Sequence, residues 1–163
     1  MKGVEPIIAV VLIIAISIAG VVFVFNYTRP SVSKMSDINV FNQAKSVLKQ
    51  IDSNLVNVLE EGEGSTRVLH LSIGGGNYLI DGVSDSLNFS MESSSDLVGE
   101  GVSSTDGNLD IRGEKNKVFI IRVYTTVNIT SDGSFSAGNH NIVIRNDGYD
   151  DLNGEQMISV GIA

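Results

Sequence analysis

The sequence predicts an α+β protein: a long apolar N-terminal transmembrane helix, a second amphipathic helix, then an antiparallel β-domain, either a sandwich or a curled sheet. Three observations carry that expectation. Val4 to Phe25 is a run of 22 residues whose only charge is Glu5. From Ile38 to Val58 apolar residues recur at steps of three and four, the helical period. From Ser65 onward the apolar period drops to two, the period of a half-buried strand.

A helix of the first segment's length reaches roughly 33 Å, enough for a hydrocarbon core of about 30 Å. Its Ile and Val content is no obstacle in lipid, where the helix satisfies every backbone group within the segment. The run exceeds a secretory h-region and no small-x-small site follows it, so the expectation is a retained anchor rather than a removed signal. Lys2 and the amino terminus precede the span, and Arg29 and Lys34 follow it, so the positive-inside balance is nearly even. The rest of the chain favours an outer location. It is rich in Ser, Asn and Thr and contains three N-x-S/T sequons, at Asn26, Asn88 and Asn128, each a possible N-glycosylation acceptor.

The 163 residues carry a formal net charge of -8. Beyond the first thirty residues nine Lys/Arg face eighteen Asp/Glu, with no basic block. Such a surface repels phosphate backbones and argues against a nucleic-acid partner. The absence of cysteine removes disulfides, thiol nucleophiles and thiolate metal sites from consideration.

The segment Lys2-Gly3-Val4-Glu5-Pro6-Ile7-Ile8-Ala9-Val10-Val11-Leu12 resembles the N-terminus of archaeal type IV pilins and pilin-like proteins. In that family a short basic leader ending in Lys/Arg-Gly precedes a long apolar helix, and Glu5 stands where the family often has a small polar residue. The resemblance implies cleavage between Gly3 and Val4 by a prepilin peptidase. It also implies self-assembly with other pilin subunits on an assembly platform, the apolar helices forming a filament core. Under that reading residues 1–3 are the leader, 4–28 the transmembrane or filament-core helix, 29–61 a break and an amphipathic stalk helix, and 62–163 the extracytoplasmic β-domain. Glu5 then becomes an assembly candidate: its carboxylate can meet the helix dipole or pair with the Val4 amino group of a neighbouring subunit. The alternative is a single-pass membrane-anchored surface protein that does not polymerise and displays an adhesive or ligand-binding β-domain.

Arg29-Pro30-Ser31 is expected to break the helix, because Pro30 lacks an amide donor and disfavours helical geometry at Arg29. The second helix is expected from about Asp37 to Glu61, with Ile38, Phe41, Ala44, Leu48, Ile51, Leu55 and Val58 on one stripe and Gly62 as the stop. Packing against its own β-domain is preferred to a coiled coil, because the stripe lasts barely three heptads.

In the β-domain, Arg67–Ile73 and Asn77–Ile80 flank Gly74-Gly75-Gly76 and read as a hairpin. Ser86 to Met91 alternates cleanly. Glu92 to Gly107 reads as loop with a weak edge strand near Leu97, and Lys117 to Ile129 as the longest strand, centrally placed. Asn139–Arg145 and Gln156–Ile162 complete six or seven strands, and the segment from Asn146 to Gly154 reads as a turn.

No catalytic constellation and no cofactor site is visible, so the expectation is a protein that is not an enzyme. His70 and His140 lack partners at ligand spacing, no G-x-S-x-G occurs, and the triple glycine lacks the Lys-Ser/Thr of a phosphate loop. The acidic loop Asp147, Asp150, Asp151, Asn153, Glu155 offers oxygen ligands of the kind calcium takes. It fails the EF-hand pattern, however, and reads as a solvated turn.

Overall fold

The structure is a computed structural model that describes residues 5–93, 97–150 and 154–163. The chain divides into two compact units, Met1–Ser36 and Asp37–Ala163. One helix, α1, is assigned from Glu5 to Glu61. Where a break was expected at Pro30, the helical assignment continues through Arg29, Pro30 and Ser31. A proline removes a single amide donor from the ladder, a local loss that the turns on either side outweigh. The stop at Gly62 is as expected. Gly62 takes φ +92°, the left-handed conformation that glycine adopts without a Cβ penalty just past a helix end.

In the second unit the amphipathic stripe does what its period requires from Phe41 onward, whereas Ile38, expected on the same stripe, is exposed. Ala44, Leu48, Ile51, Leu55 and Val58 are buried, joined by Val47, while Phe41 packs half-buried against the same cluster. Among the described residues ten strands follow: β1 (Thr66–Ile73), β2 (Asn77–Asp81), β3 (Ser86–Glu92), β4 (Ser103–Asp106), β5 (Leu109–Glu114), β6 (Lys117–Val123), β7 (Val127–Ile129), β8 (Gly133–Phe135), β9 (Gly138–Asp150) and β10 (Glu155–Ile162). They form a four-stranded sheet ordered β1-β9-β10-β7 and a six-stranded sheet ordered β4-β5-β6-β3-β2-β8. Both sheets and the helix stripe contribute to one hydrophobic cluster. All pairings are antiparallel except β10 with β7, which is parallel; the expectation of purely antiparallel links is corrected there.

Four sequence expectations change in the β-domain. β1 and β2 are not a hairpin: β1 pairs with β9, and β2 pairs with β3 and β8. The triple glycine thus carries the chain from one sheet to the other. It lies against the helix, where Gly74 N–H donates to Gln43 Oε1 at 2.8 Å and Gln43 Nε2 donates to the Ser72 carbonyl at 2.8 Å. The Lys117–Ile129 strand is two strands, β6 in the interior of the six-stranded sheet and β7 at the edge of the other. Asp85 makes the transfer. Its carbonyl accepts from Tyr124 N–H at 2.8 Å and its carboxylate from Ile129 N–H at 2.7 Å.

The edge strand is Ser103–Asp106 rather than the region of Leu97, and β5 and β8 had no clear sequence signal. β5 carries only two buried side chains, Leu109 and Ile111, and its Gly113 lets the backbone of Val98 and Gly99 approach closely. Finally, Asn146 to Asp150 is strand, not turn. The register shifts between Met157 and Ile158, which face Gly148 and Asn146, so Asp147 is the extra residue of a bulge. The buried Asn146 at that bulge holds the helix end. Its Nδ2 donates to the Val58 carbonyl at 3.3 Å, its Oδ1 accepts from Gly148 N–H at 2.9 Å, and its carbonyl accepts from Gly64 N–H at 2.9 Å. Ser65 Oγ lies 2.7 Å from both the Val58 and the Gly62 carbonyls and shares its one proton between them, so a carbonyl orphaned by the end of the helix has a partner in Asn146.

Candidate functional site: two exposed apolar surfaces

The most distinctive surface lies in the first unit. Ile7–Asn26, twenty residues of mean hydropathy 3.3, contains no buried residue. Ile, Val, Leu and Phe side chains stand exposed all round it, and at 1.5 Å per residue it reaches about 30 Å. Its one hydroxyl side chain, Ser17, turns onto the helix's own backbone. Ser17 Oγ donates to the Ile13 carbonyl at 2.8 Å, and just beyond the apolar stretch Thr28 Oγ1 donates to the Val24 carbonyl at 2.7 Å. Hydrocarbon demands that internal satisfaction, because it offers no other partner. The chain therefore has one helix near its N-terminus long and apolar enough to cross a membrane.

Gly3 and Val4 lie outside the described residues, and Glu5 opens α1 with its side chain outside the description. The three sequons fall in different settings. Asn26 is the last residue of the apolar stretch, inside the helix; Asn88 is in the middle of β3; Asn128 is in the middle of β7. None of the three is in a loop, the setting the motif alone suggests.

A second apolar surface escaped the sequence reading. On the outward face of the six-stranded sheet, Leu79 and Val123 are exposed while Phe119 and Ile121 are half-buried. The signal was present in the unbroken run Val118-Phe119-Ile120-Ile121. Strand side chains alternate between faces, so four apolar residues in succession place two on the face turned away from the core.

The remaining polar groups form structural contacts. His70 Nδ1 lies 2.7 Å from Asn141 Oδ1 on an exposed cross-strand pair, and His140 Nε2 lies 2.8 Å from the Ser136 carbonyl with its ring against Phe135. Of the acidic loop, Asp147 sits in β9 and pairs with Arg145 Nε at 3.3 Å, while Asp151 and Asn153 lie outside the described residues. Among the described residues no group of three or more His, Asp or Glu is arranged to hold a metal ion. Tyr78, stacked on Phe135, has its pKa pushed up to about 12 by burial. Burial, reinforced by the Asp52 charge, raises the pKa of Tyr124 further.

Asp106, at the end of the edge strand β4, accepts from Lys49 Nζ at 2.7 Å and Lys45 Nζ at 3.2 Å, which fastens that edge to the helix. These hydrogen bonds hold its carboxyl below the usual range. A carboxylate with a depressed folded pKa adds stability above its unfolded pKa, and that stability is lost as pH falls through the folded value. Asp106→Asn is therefore expected to flatten the decline of stability below about pH 4. Thermal melts across that range check this, and added salt should shrink the difference, because the groups are exposed and screened.

No protein family, no curated protein and no solved structure matches this chain.

Proposed function

We propose that the chain is a pilin-like structural subunit of a type IV pilus or related archaeal surface filament. In this reading it is cleaved between Gly3 and Val4, held in the cell membrane with its β-domain outside, and assembled through its apolar helix. The observation that carries the reading is the apolar stretch Ile7–Asn26, which has no buried residue, in a chain whose later helical turns, from Ala44 to Val58, are buried against a β-domain. An isolated bilayer anchor needs only the first of these features. A subunit that must pass from membrane to filament needs both, an apolar segment for the assembly surface and a folded domain to display. The resemblance of Lys2 to Leu12 to pilin N-termini supports the same reading.

The test is intact-mass and N-terminal analysis of the protein co-expressed with an archaeal prepilin peptidase. The expected product starts at Val4, and Gly3→Arg abolishes its formation, since the residue before the scissile bond must be small. A chain that keeps its original start in the presence of active peptidase overturns the pilin reading and leaves a single-pass anchor.

A further inference from the structure

We propose that Asn88 carries an N-linked glycan that lies over the apolar outer face of the six-stranded sheet; this rests on the outward orientation of the β-domain proposed above. Asn88 stands at the centre of that face. Its register partners are Leu79 on β2 and Ile121 on β6, and Ser90, the hydroxyl residue of the same sequon, faces Phe119. Leu79, Asn88, Ser90, Phe119, Ile121 and Ser134 line an open groove of about 510 Å³. Leu79 is 46% and Val123 45% exposed. Asp110 and Arg112 rim the patch, opposite Ile121 and Phe119. An apolar patch with a polar rim on an exposed sheet face calls for a cover, and here the acceptor for a covalent one is built into its floor. A sugar ring presents C–H faces to Phe119 and the aliphatic neighbours and hydroxyls to water, so one substituent meets both the apolar floor and the polar rim.

The local chemistry accommodates the attachment. Asn88 Nδ2 donates to Ser86 Oγ at 2.9 Å, and a carboxamide nitrogen has two N–H donors. Transfer from an isoprenoid-phosphate-linked oligosaccharide forms a bond between Nδ2 and sugar C1. It breaks the bond from C1 to the phosphate oxygen, which keeps the electron pair, and it releases one amide proton. The second N–H remains for Ser86. Asn26, by contrast, is the last residue of the apolar helical stretch, where a polar oligosaccharide would sit at the hydrocarbon boundary. The sequon at Asn128 has its Thr130 Oγ1 engaged by the Ile158 carbonyl at 3.3 Å, just past a three-residue edge strand.

The experiment is glycopeptide mapping of the full chain made in an archaeal host that glycosylates its surface proteins. A flexible Asn-Gly-Thr acceptor is appended after Ala163 as a control. The expected result is a glycan on Asn88 that is lost in both Asn88→Gln and Ser90→Ala. Hydroxyl-radical labelling of the peptide carrying Phe119 should rise at least twofold in each variant. A modified tail acceptor with Asn88 bare overturns the glycan and leaves the outward orientation standing. A glycan on Asn88 with unchanged labelling at Phe119 overturns the covering role. Both acceptors bare removes the outward orientation and this proposal together.

Discussion

Gly76→Ala is expected to destabilise the β-domain by about 3 kcal/mol, the sum of an overpacked core contact and a left-handed backbone forced on a residue with a Cβ. Gly76 takes φ +78°, and a methyl group there would run into the ring of Phe89 and come within 3.1 Å of the Ser90 carbonyl. Phe89 cannot step aside. It is wholly buried, and its ring packs against Tyr78 at 4.8 Å, which in turn stacks on Phe135 at 4.9 Å. The neighbouring glycines supply the comparison. Alanine at Gly75 would meet Val40 methyls at 3.4 Å, a snug contact. Alanine at Gly74 would press only on the end of Gln43, a side chain that can rotate away at the cost of its hydrogen bonds to Gly74 and Ser72, about 1 kcal/mol each. Urea unfolding of the three variants should therefore rank Gly76 above the other two. Equal losses at all three would show that the tract acts through flexibility alone.

Removing Asp52 should cost about 3 kcal/mol, because it strands a cation that the fold has largely withdrawn from water. Arg122 Nε donates to Asp52 Oδ1 at 2.8 Å, and the two side chains keep only 20% and 16% of their surface exposed. The guanidinium also lies over the Tyr124 ring, 4.5 Å from its centre, and its terminal nitrogen donates to the Val123 carbonyl at 2.7 Å. The pair thus bolts the C-terminal part of the helix to the end of β6, where the chain leaves for the other sheet. Asp52→Ala leaves the guanidinium with the ring and one carbonyl but no counter-charge. The double variant Asp52→Leu/Arg122→Met removes both charges and should recover most of the loss, since an apolar pair of similar volume incurs no desolvation penalty. A double-mutant cycle by chemical denaturation checks this. Additive losses would mean that the pair contributes packing rather than charge compensation.

The contrast between the two sites explains what could be read in advance. The Asp52–Arg122 pair joins residues 70 positions apart, and nothing local in either segment marks the other as its partner. The helix stripe was legible because burial repeats every turn, and Ala44, Leu48, Ile51, Leu55 and Val58 are all buried as their spacing required. The Gly62 stop was legible because few residues other than glycine tolerate φ +92°. β3 was legible because its pattern alternates without interruption. β5 was not: Asp110, Arg112 and Gly113 give it little strand propensity, and it is held as a strand by β4 on one side and β6 on the other. The bulge at Asp147 was hidden for a related reason. Asn, Asp and Gly are turn residues when free, yet Asn146 is buried here and bonded to the end of the helix.

The sequence by itself determined three things: an apolar helical stretch long enough to cross a bilayer, an amphipathic stripe that must be buried, and a run of strands after Gly62. All follow from composition and period, which act locally and so survive reading in one dimension. Tertiary structure alone decided which strands pair and in which of two sheets, that the triple glycine crosses between sheets instead of turning a hairpin, and that β7 lies parallel to β10. It also decided that Asn88 stands among Leu79, Ile121 and Phe119. Strand pairing satisfies backbone groups that every residue carries alike, so partners are selected by how the side chains of distant segments pack into a shared core, and local sequence holds no record of that choice.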